Sequence, residues 1–299
     1  MNLMSVIRRM FKGTVVHRWR LTTKVYSWYT RVLVRHLERT DLGVLVPFRG
    51  HEFEIEEHDI TILPTLVTGE YEAREIDEFL NVLVPGMTVL DVGANIGLFS
   101  VLARQAVGPR GHVYAFEPSQ RARGFLERNL RRNVTANLGQ GTVTIVPIAL
   151  ADHDGSGVWI SGDYLGTARL GNTAEAQDSR GESCTTARLD SLLSGAVVSR
   201  TPDVIKVDVE GFEPAVLLGA ANLVRERAPL LFIEVSSTAS SQVSQSWNAA
   251  VDLLADVYTK VEGFVDGTTG ESRDVRGTLL RLLNRTRLVN VMLSREVDR

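Results

Sequence analysis

Residues 89–97 read Val-Leu-Asp-Val-Gly-Ala-Asn-Ile-Gly, and twenty residues beyond Gly97 stands Phe116-Glu117-Pro118. The pattern predicts an apolar strand (88–92), a glycine-rich turn, an amphipathic helix (96–106) and a second strand (112–116) that ends in a carboxylate. This is the layout of a nucleotide-cofactor site in an open parallel sheet. Gly93 allows close backbone approach to a ligand, Gly97 allows tight helix packing, and Glu117 can accept hydrogen bonds from two ribose hydroxyls. The spacing is Gly-x-x-x-Gly, however, and not the Gly-x-Gly-x-x-Gly that seats a pyrophosphate on a helix N-terminus. Asp91, just before the turn, would repel phosphates. A cofactor with a ribose, no phosphate and a positive charge fits better, and S-adenosylmethionine meets that description. Asp91 could balance its amino group, or could equally serve as a turn or helix-capping residue. Glu117 could also be only a surface acid before a proline turn.

These residues need a scaffold, and the rest of the chain predicts one. Strands are expected at 88–92, 112–116, 142–149, 204–208, 230–235, 259–264 and 288–293, with helices near 96–106, 119–133, 214–225 and 245–255. Alternating strands and helices imply a parallel sheet with crossover helices. The last two strands suit an antiparallel edge. Before the sheet come a small β element within 44–62 and a helix over 73–83. Residues 161–183, rich in Gly, Ser, Thr and Asp without periodicity, read as a long loop.

Composition narrows the class. With 299 residues and 44% hydrophobic content, the chain has a full globular core. A single cysteine, Cys184, excludes an internal disulfide and a cysteine-based zinc site, and agrees with a reducing, cytoplasmic setting. No apolar stretch reaches the roughly 18–20 residues of a membrane span, and Arg18 and Arg20 interrupt any candidate signal core. The net charge of −3 is unevenly spread: residues 1–40 carry nine basic side chains and one acid, whereas the remainder holds 24 basic against 35 acidic residues. An acidic body argues against a nucleic-acid partner. In the basic head, Leu21, Val25, Trp28, Tyr29, Val32, Leu33 and Leu37 fall at helical spacing, with Arg31, Arg35 and Arg39 on another face. Such a helix could dock on an anionic membrane surface through residues 1–40, or simply pack its stripe on the domain.

In the order of its motifs the chain resembles the FkbM family of S-adenosylmethionine-dependent methyltransferases. The resemblance rests on Gly69-x-Tyr71-Glu72, then Asp91-x-Gly93-x-Asn95-x-Gly97, then Phe116-Glu117-Pro118, Ala149-Leu150-Ala151-Asp152 and Leu189-Asp190-Ser191-Leu192. Its most specific part is Ile205-Lys206-Val207-Asp208-Val209-Glu210-Gly211-Phe212-Glu213, followed by Leu217-x-Gly219-Ala220 and by Glu234. It covers roughly residues 66–236. It implies a class I methyltransferase-like (Rossmann-like) α/β fold: a seven-stranded, mostly parallel sheet with helices on both faces. That domain would occupy 66–299, behind an N-terminal helical and β extension over 1–65.

The resemblance also implies O-methylation of a hydroxyl on a sugar, glycan or secondary metabolite. Ala149 would contact adenine, Asp152 would reach its amino group, and Tyr71 would lie over the cofactor. Asp208 would accept the acceptor's proton, Glu210 would bind an acceptor hydroxyl, and Lys206 shares their strand face. A plainer reading makes Lys206 and Asp208 a structural ion pair, Glu210 a helix cap and Tyr71-Glu72 an ordinary helix start. No ligand spacing demands a metal. His51, His58 and His153 are rival bases, each isolated in sequence. Two other classes compete: a nicotinamide-dependent oxidoreductase on the same sheet type, and a non-catalytic scaffold that docks on membranes.

Overall fold

The computed structural model describes residues 34–134, 139–160, 169–171, 181–195, 197–235, 241–265, 268–284 and 289–296. At its centre is an eight-stranded sheet. Strands β3 (Thr88–Val92), β4 (His112–Phe116), β5 (Thr142–Val146), β10 (Val204–Val207) and β11 (Leu230–Val235) run parallel. With β12 (Lys260–Val265), β13 (Thr268–Ser272) and β14 (Val289–Ser294), the spatial order is β13-β12-β14-β11-β10-β3-β4-β5. The strand order reverses between β3 and β10, and ligands of open α/β sheets bind in the crevice at such a switch point.

The seven expected strands are all present, with an eighth, β13 (Thr268–Ser272), hairpinned onto β12 (Lys260–Val265). The last strand, β14 (Val289–Ser294), is not at an edge: it inserts between β11 and β12, antiparallel to both. The stretch read as one strand over 142–149 divides. Residues 142–146 stay in the main sheet, while β6 (Ile148–Leu150) joins a second sheet of order β6-β9-β7-β8. There β7 is Gly155–Ile160, β8 is Arg169–Gly171 and β9 is Gly181–Ala187. Part of the expected loop over 161–183 is therefore strand. Its small polar residues gave no alternation, and pairing with neighbours overrides that weak preference.

Strand alternation distributes side chains between two cores. Leu90, Val92, Ile205, Val207, Leu231, Ile233, Val291 and Leu293 face one way, into a core shared with α6 (Glu213–Gly219), α7 (Ala221–Arg227), α8 (Ser241–Val257) and α9 (Val275–Leu283). The helix expected over 214–225 is broken at Ala220, between α6 and α7. Val89, Val113, Ala115, Val204, Phe232 and Met292 face the other way. They pack under α2 (Ala73–Val82), α3 (Leu98–Val107), α4 (Gln120–Arg132) and the hairpin of β1 (Val44–Phe48) and β2 (His51–Ile55). Two short helices, α1 (Leu63–Val67) and α5 (Leu189–Ser194), complete the chain order. The boundary expected at 65/66 falls within α1, and the hairpin shares its core with α2–α4. Most of the basic head lies outside the described residues. Its last turn, Val34–His36, is a short 3-10 helix whose Val34 is buried in the same core. No helix among the described residues is long and apolar enough to cross a membrane.

Two asparagines, one on α4 and one at its C-cap, hold the hairpin by imitating a neighbouring strand. Asn129 Oδ1 accepts from Glu54 N (2.6 Å) while its Nδ2 donates to Glu54 O (3.0 Å). One helical turn on, Asn133 repeats the exchange with Glu52 (3.0 and 2.8 Å). The i, i+4 spacing on the helix matches the i, i+2 spacing on β2, so the outward amides of an edge strand are satisfied without another strand. Asn129 Nδ2 also donates to Ile96 O in the glycine turn (2.9 Å), which ties the N-terminal hairpin to the cofactor turn. Asn129→Ala removes three buried hydrogen bonds and should cost about 3 kcal/mol of stability. Urea unfolding checks this: a loss below about 1 kcal/mol would mean that the hairpin is held by its apolar contacts alone.

Candidate functional site

The register of the parallel strands assembles the site. Lys206 on β10 lies opposite Asp91 on β3 and Phe232 on β11. Lys206 and Asp91 stand on the same sheet face as Val89, Val204 and Phe232. By the same two-residue period, Asp208, Glu234 and Asn290 emerge one step further out, where Glu234 pairs in register with Asn290 of β14. One face across four strands thus carries three carboxylates, an ammonium and an amide to the same end of the sheet.

Lys206 is almost fully buried. Its Nζ is 3.1 Å from Asp208 Oδ2 and 4.0 Å from Asp91 Oδ1, and it sits 4.5 Å above the centre of the Phe99 ring from α3. Burial works against its charge, but Asp208, then Asp91 and Glu72, more than offset this and hold the ammonium well above the ordinary lysine range. The ion pair of the plainer reading is therefore present, and it lies inside the site.

The glycine turn is fastened to the end of β4. Gly93 N and Ala94 N both donate to Phe116 O (3.0 and 2.9 Å), and Asn95 N donates to Glu117 Oε2 (2.9 Å). Ser119 N donates to the other oxygen of Glu117 (2.8 Å), and Ser119 also caps α4. Glu117 is only 3% exposed, so it is no surface acid, and burial pushes it up to about 7 despite the two amide donors. A carboxylate offers roughly four acceptor positions, so each of its oxygens retains one for a ribose hydroxyl. Asp91 accepts from Ser100 Oγ (2.6 Å) through one oxygen, while its Oδ1 is buried without a hydrogen bond. Burial raises its pKa, against the pull of Lys206 and Ser100. That orphaned acceptor and the two open positions on Glu117 fit the amino and ribose groups of S-adenosylmethionine.

Gly93 and Gly97 both have positive φ (82° and 85°) and both are closely packed. A Cβ on Gly93 would lie 1.9 Å from Asp208 O, and one on Gly97 would lie 2.3 Å from Leu126 Cδ1 of α4. The space at Gly93 is thus taken by the end of β10 rather than left for a ligand. The two glycines bring the cofactor turn against the strand that bears Lys206 and Asp208.

Beside this turn lies a shallow cleft open to solvent. Its walls come from α2 (Glu72, Glu75), α3 (Phe99), β10 (Lys206, Val207, Asp208), β11 (Phe232, Ile233, Glu234) and β14 (Asn290, Val291). Desolvation and mutual repulsion raise several of its carboxyls. Glu234 is pushed up to about 9 by burial and then by Asp208 and its acidic neighbours, and Glu210 at the rim reaches about 8 for the same reasons. Tyr71 lies at this end too: its hydroxyl donates to Glu72, and burial, then Glu72 and Asp208, raise its pKa well above normal.

Glu210 does not cap α6. It stands in a left-handed conformation (φ 54°), and the fully buried Glu213 instead accepts from Val209 N and Gly211 N (3.1 and 3.0 Å). Ala149 is buried on β6 against Cys184 and Phe212. Asp152 is at the surface, paired with His153 (2.8 Å), with both side chains more than half exposed. Neither His51, His58 nor His153 lines the cleft. Among the described residues, no group of three His, Cys, Asp or Glu side chains is placed to hold a metal ion.

Sequence reasoning did not single out Ser100, Phe99, Glu213 or the cleft role of Glu72. Ser100 was the accessible one: it lies one helical turn into α3, on the side that returns to Asp91.

A nucleotide-type turn, a ribose-ready acid and the strand order described above define a methyltransferase-type sheet. The model of the Methyltransferase FkbM domain matches residues 91–264, and the chain belongs to this family, with S-adenosylmethionine as its cofactor. Among curated proteins, the AMB antimetabolite synthetase AmbE of Pseudomonas aeruginosa is 28% identical over 247 residues, which is 67% of this chain and 11% of that protein. Protein-L-isoaspartate O-methyltransferase of Methanothrix thermoacetophila is 45% identical over 129 residues, 42% of this chain and 61% of that one. The chain thus spans about a tenth and about three fifths of these relatives. A crystal structure of methyltransferase FkbM from Methylobacillus flagellatus covers 78% of this chain and 53% of that chain at 15% identity, with a TM-score of 0.43.

The site also sets the pH dependence of stability. Glu72, Glu117 and Glu213 are raised to about 7, Glu210 to about 8 and Glu234 to about 9, from 4.5. An acid raised on folding binds its proton more tightly in the native state, so the stability it contributes is full below its unfolded pKa and is lost as pH rises through the folded one. Without cofactor, Tm should fall steadily between pH 5 and pH 9, as scanning calorimetry would show. A Tm that rises across this range would contradict the buried-carboxyl arrangement.

Proposed function

We propose that this chain transfers a methyl group from S-adenosylmethionine to a hydroxyl of a sugar, glycan or secondary metabolite. The observation that carries the reading is the register of β3 with β10. It sets the cofactor-side acid Asp91 beside Lys206, and Lys206 lines a solvent-open cleft together with Asp208, Glu234 and Glu72. Asp91 and Glu117 would hold the amino and ribose groups, with Asn95 and the two glycines shaping the turn. The bound cofactor supplies an activated methyl on a sulfonium.

The protein must then hold the acceptor oxygen in line with that methyl, and such alignment can provide on the order of 7–11 kcal/mol. Asp208 and Glu234 are acceptors suited to a polyhydroxylated ligand, Lys206 fixes Asp208, and Phe99 and Phe232 offer flat apolar walls. A hydroxyl also needs a base, which a cleft carboxylate provides. The acidic body supports a small-molecule or glycan acceptor over nucleic acid. In this reading Ala149 would make apolar contact with adenine. Contact of residues 1–40 with a membrane, and a cytoplasmic location, stay part of this proposal on charge pattern and the single cysteine alone.

Calorimetric titration of S-adenosylhomocysteine tests the cofactor assignment. Glu117→Gln should weaken binding at least tenfold by replacing two ribose acceptors with one, while Asp152→Asn should leave it within about twofold. Equal affinity for the unaltered protein and Glu117→Gln would remove Glu117 from the ribose site.

A further inference from the structure

We propose that Glu72, rather than Asp208, takes the proton from the acceptor hydroxyl. The inference rests on the methyl-transfer reading above and identifies the base within that site. Asp208 is already engaged: its Oδ2 receives the buried Lys206 ammonium at 3.1 Å, and the one other described carboxylate within ion-pair distance of that ammonium is Asp91, at 4.0 Å. Asp208 is thus part of the scaffold that keeps Lys206 in place. Glu72 enters the same cleft from the opposite wall, at the start of α2, and makes no cap hydrogen bond to the helix it precedes.

Its backbone supports the assignment. Glu72 has φ 39° and ψ 38°, a left-handed conformation that is strained for a residue with a Cβ. Glycine would occupy this position without strain, yet a glutamate stands there. Among the described residues, five non-glycine positions have positive φ, and three of them, Glu72, Asn95 and Glu210, lie in segments at this end of the sheet, with Glu72 itself lining the cleft. Strain concentrated in this way marks side chains that are held for what they reach.

The surroundings suit a base. Glu72 faces Tyr71 and Glu75 from its own segment, Lys206, Asp208 and Glu210 from the end of β10, and Glu234 from β11. Burial, then the charge of Asp208, raises it to about 7, while Lys206 and the Tyr71 hydroxyl act the other way. A base poised near neutrality is ionised at working pH and still basic enough to accept a proton as the oxygen attacks. In the step, the hydroxyl proton passes to a Glu72 oxygen and an oxygen lone pair forms the new O–C bond to the methyl carbon. The C–S bond breaks with its electron pair on sulfur, so the sulfonium becomes a neutral thioether. Glu72, now neutral, returns its proton to solvent through the open cleft.

The test uses the full chain with bound S-adenosylhomocysteine and compares the unaltered protein with Glu72→Gln and Asp208→Asn. Infrared difference spectra between pH 5 and 9 should show a carboxyl that titrates in the neutral range, vanishes in Glu72→Gln and persists in Asp208→Asn. Affinity for S-adenosylhomocysteine should stay within about threefold in Glu72→Gln. With methyl-tritiated S-adenosylmethionine and methyl α-glucopyranoside as probe acceptor, transfer by the unaltered protein should rise with pH through neutrality. It should fall by about 100-fold or more in Glu72→Gln and lose that rise. Three results overturn the proposal: a Glu72 carboxyl that titrates below pH 5, a tenfold loss of cofactor affinity in Glu72→Gln, or a Glu72→Gln variant that keeps the rate and pH profile. If the glucoside accepts no methyl, the infrared titration decides alone. Failure of the unaltered protein to bind S-adenosylhomocysteine is the separate result that removes the methyltransferase reading itself.

Discussion

A buried ammonium among carboxylates is the constraint on which the site depends. Lys206 is withdrawn from water on a central strand, and an isolated charge there would cost several kcal/mol. Asp208 and Asp91 compensate it, and the Phe99 ring closes the remaining side. Because Asp91 ends β3 and Asp208 ends β10, this compensation fixes the two strand ends to one another across the switch point of the sheet. The glycine turn follows from it. Gly93 must lack a side chain because the carbonyl of Asp208 occupies that space, and Glu117 then receives the amide of Asn95 as the turn passes over β4. On the proposed function, cofactor side and acceptor side are two faces of one electrostatic arrangement.

A second layer of support comes from outside the sheet. The N-terminal hairpin is a half-buried ribbon with an edge to satisfy, and the paired asparagines of α4 and its C-cap satisfy it. Through Asn129 the same amide reaches the carbonyl of Ile96, so the hairpin, α4 and the cofactor turn behave as one unit. On the other wall, Glu213 spends its accepting oxygen on the backbone of Val209 and Gly211, which keeps Glu210 in its strained conformation at the rim. Stability here is distributed so that polar groups at the strand ends are fixed before any ligand arrives, the condition for catalysis by positioning.

Much of this was legible in the sequence, for identifiable reasons. Strands β3, β4, β10 and β11 are buried on both faces, so they appear as short apolar runs that stop at a charged or glycine residue, and their ends coincide with Asp91, Glu117, Asp208 and Glu234. What stayed hidden depends on partners distant in the chain. The second sheet is built from Gly-, Ser- and Thr-rich strands whose preference is decided by pairing, not by composition. The insertion of β14 between β11 and β12 is a choice of neighbour that no local pattern records. The cleft escaped for a similar reason. Glu72 and Asn290 are separated by most of the chain, and they meet only because α2 packs over the sheet face that carries the row of β10, β11 and β14.

The most direct test of this account is a double-mutant cycle between Lys206→Met and Asp208→Asn, read by equilibrium urea unfolding of the four proteins. Each single change should destabilise strongly, by about 3 kcal/mol, because it leaves a buried charge with too few partners. The pair should cost less than the sum by about 2 kcal/mol, the coupling expected for groups in direct buried contact. Additivity within about 0.5 kcal/mol would contradict the claim that this ion pair organises the site.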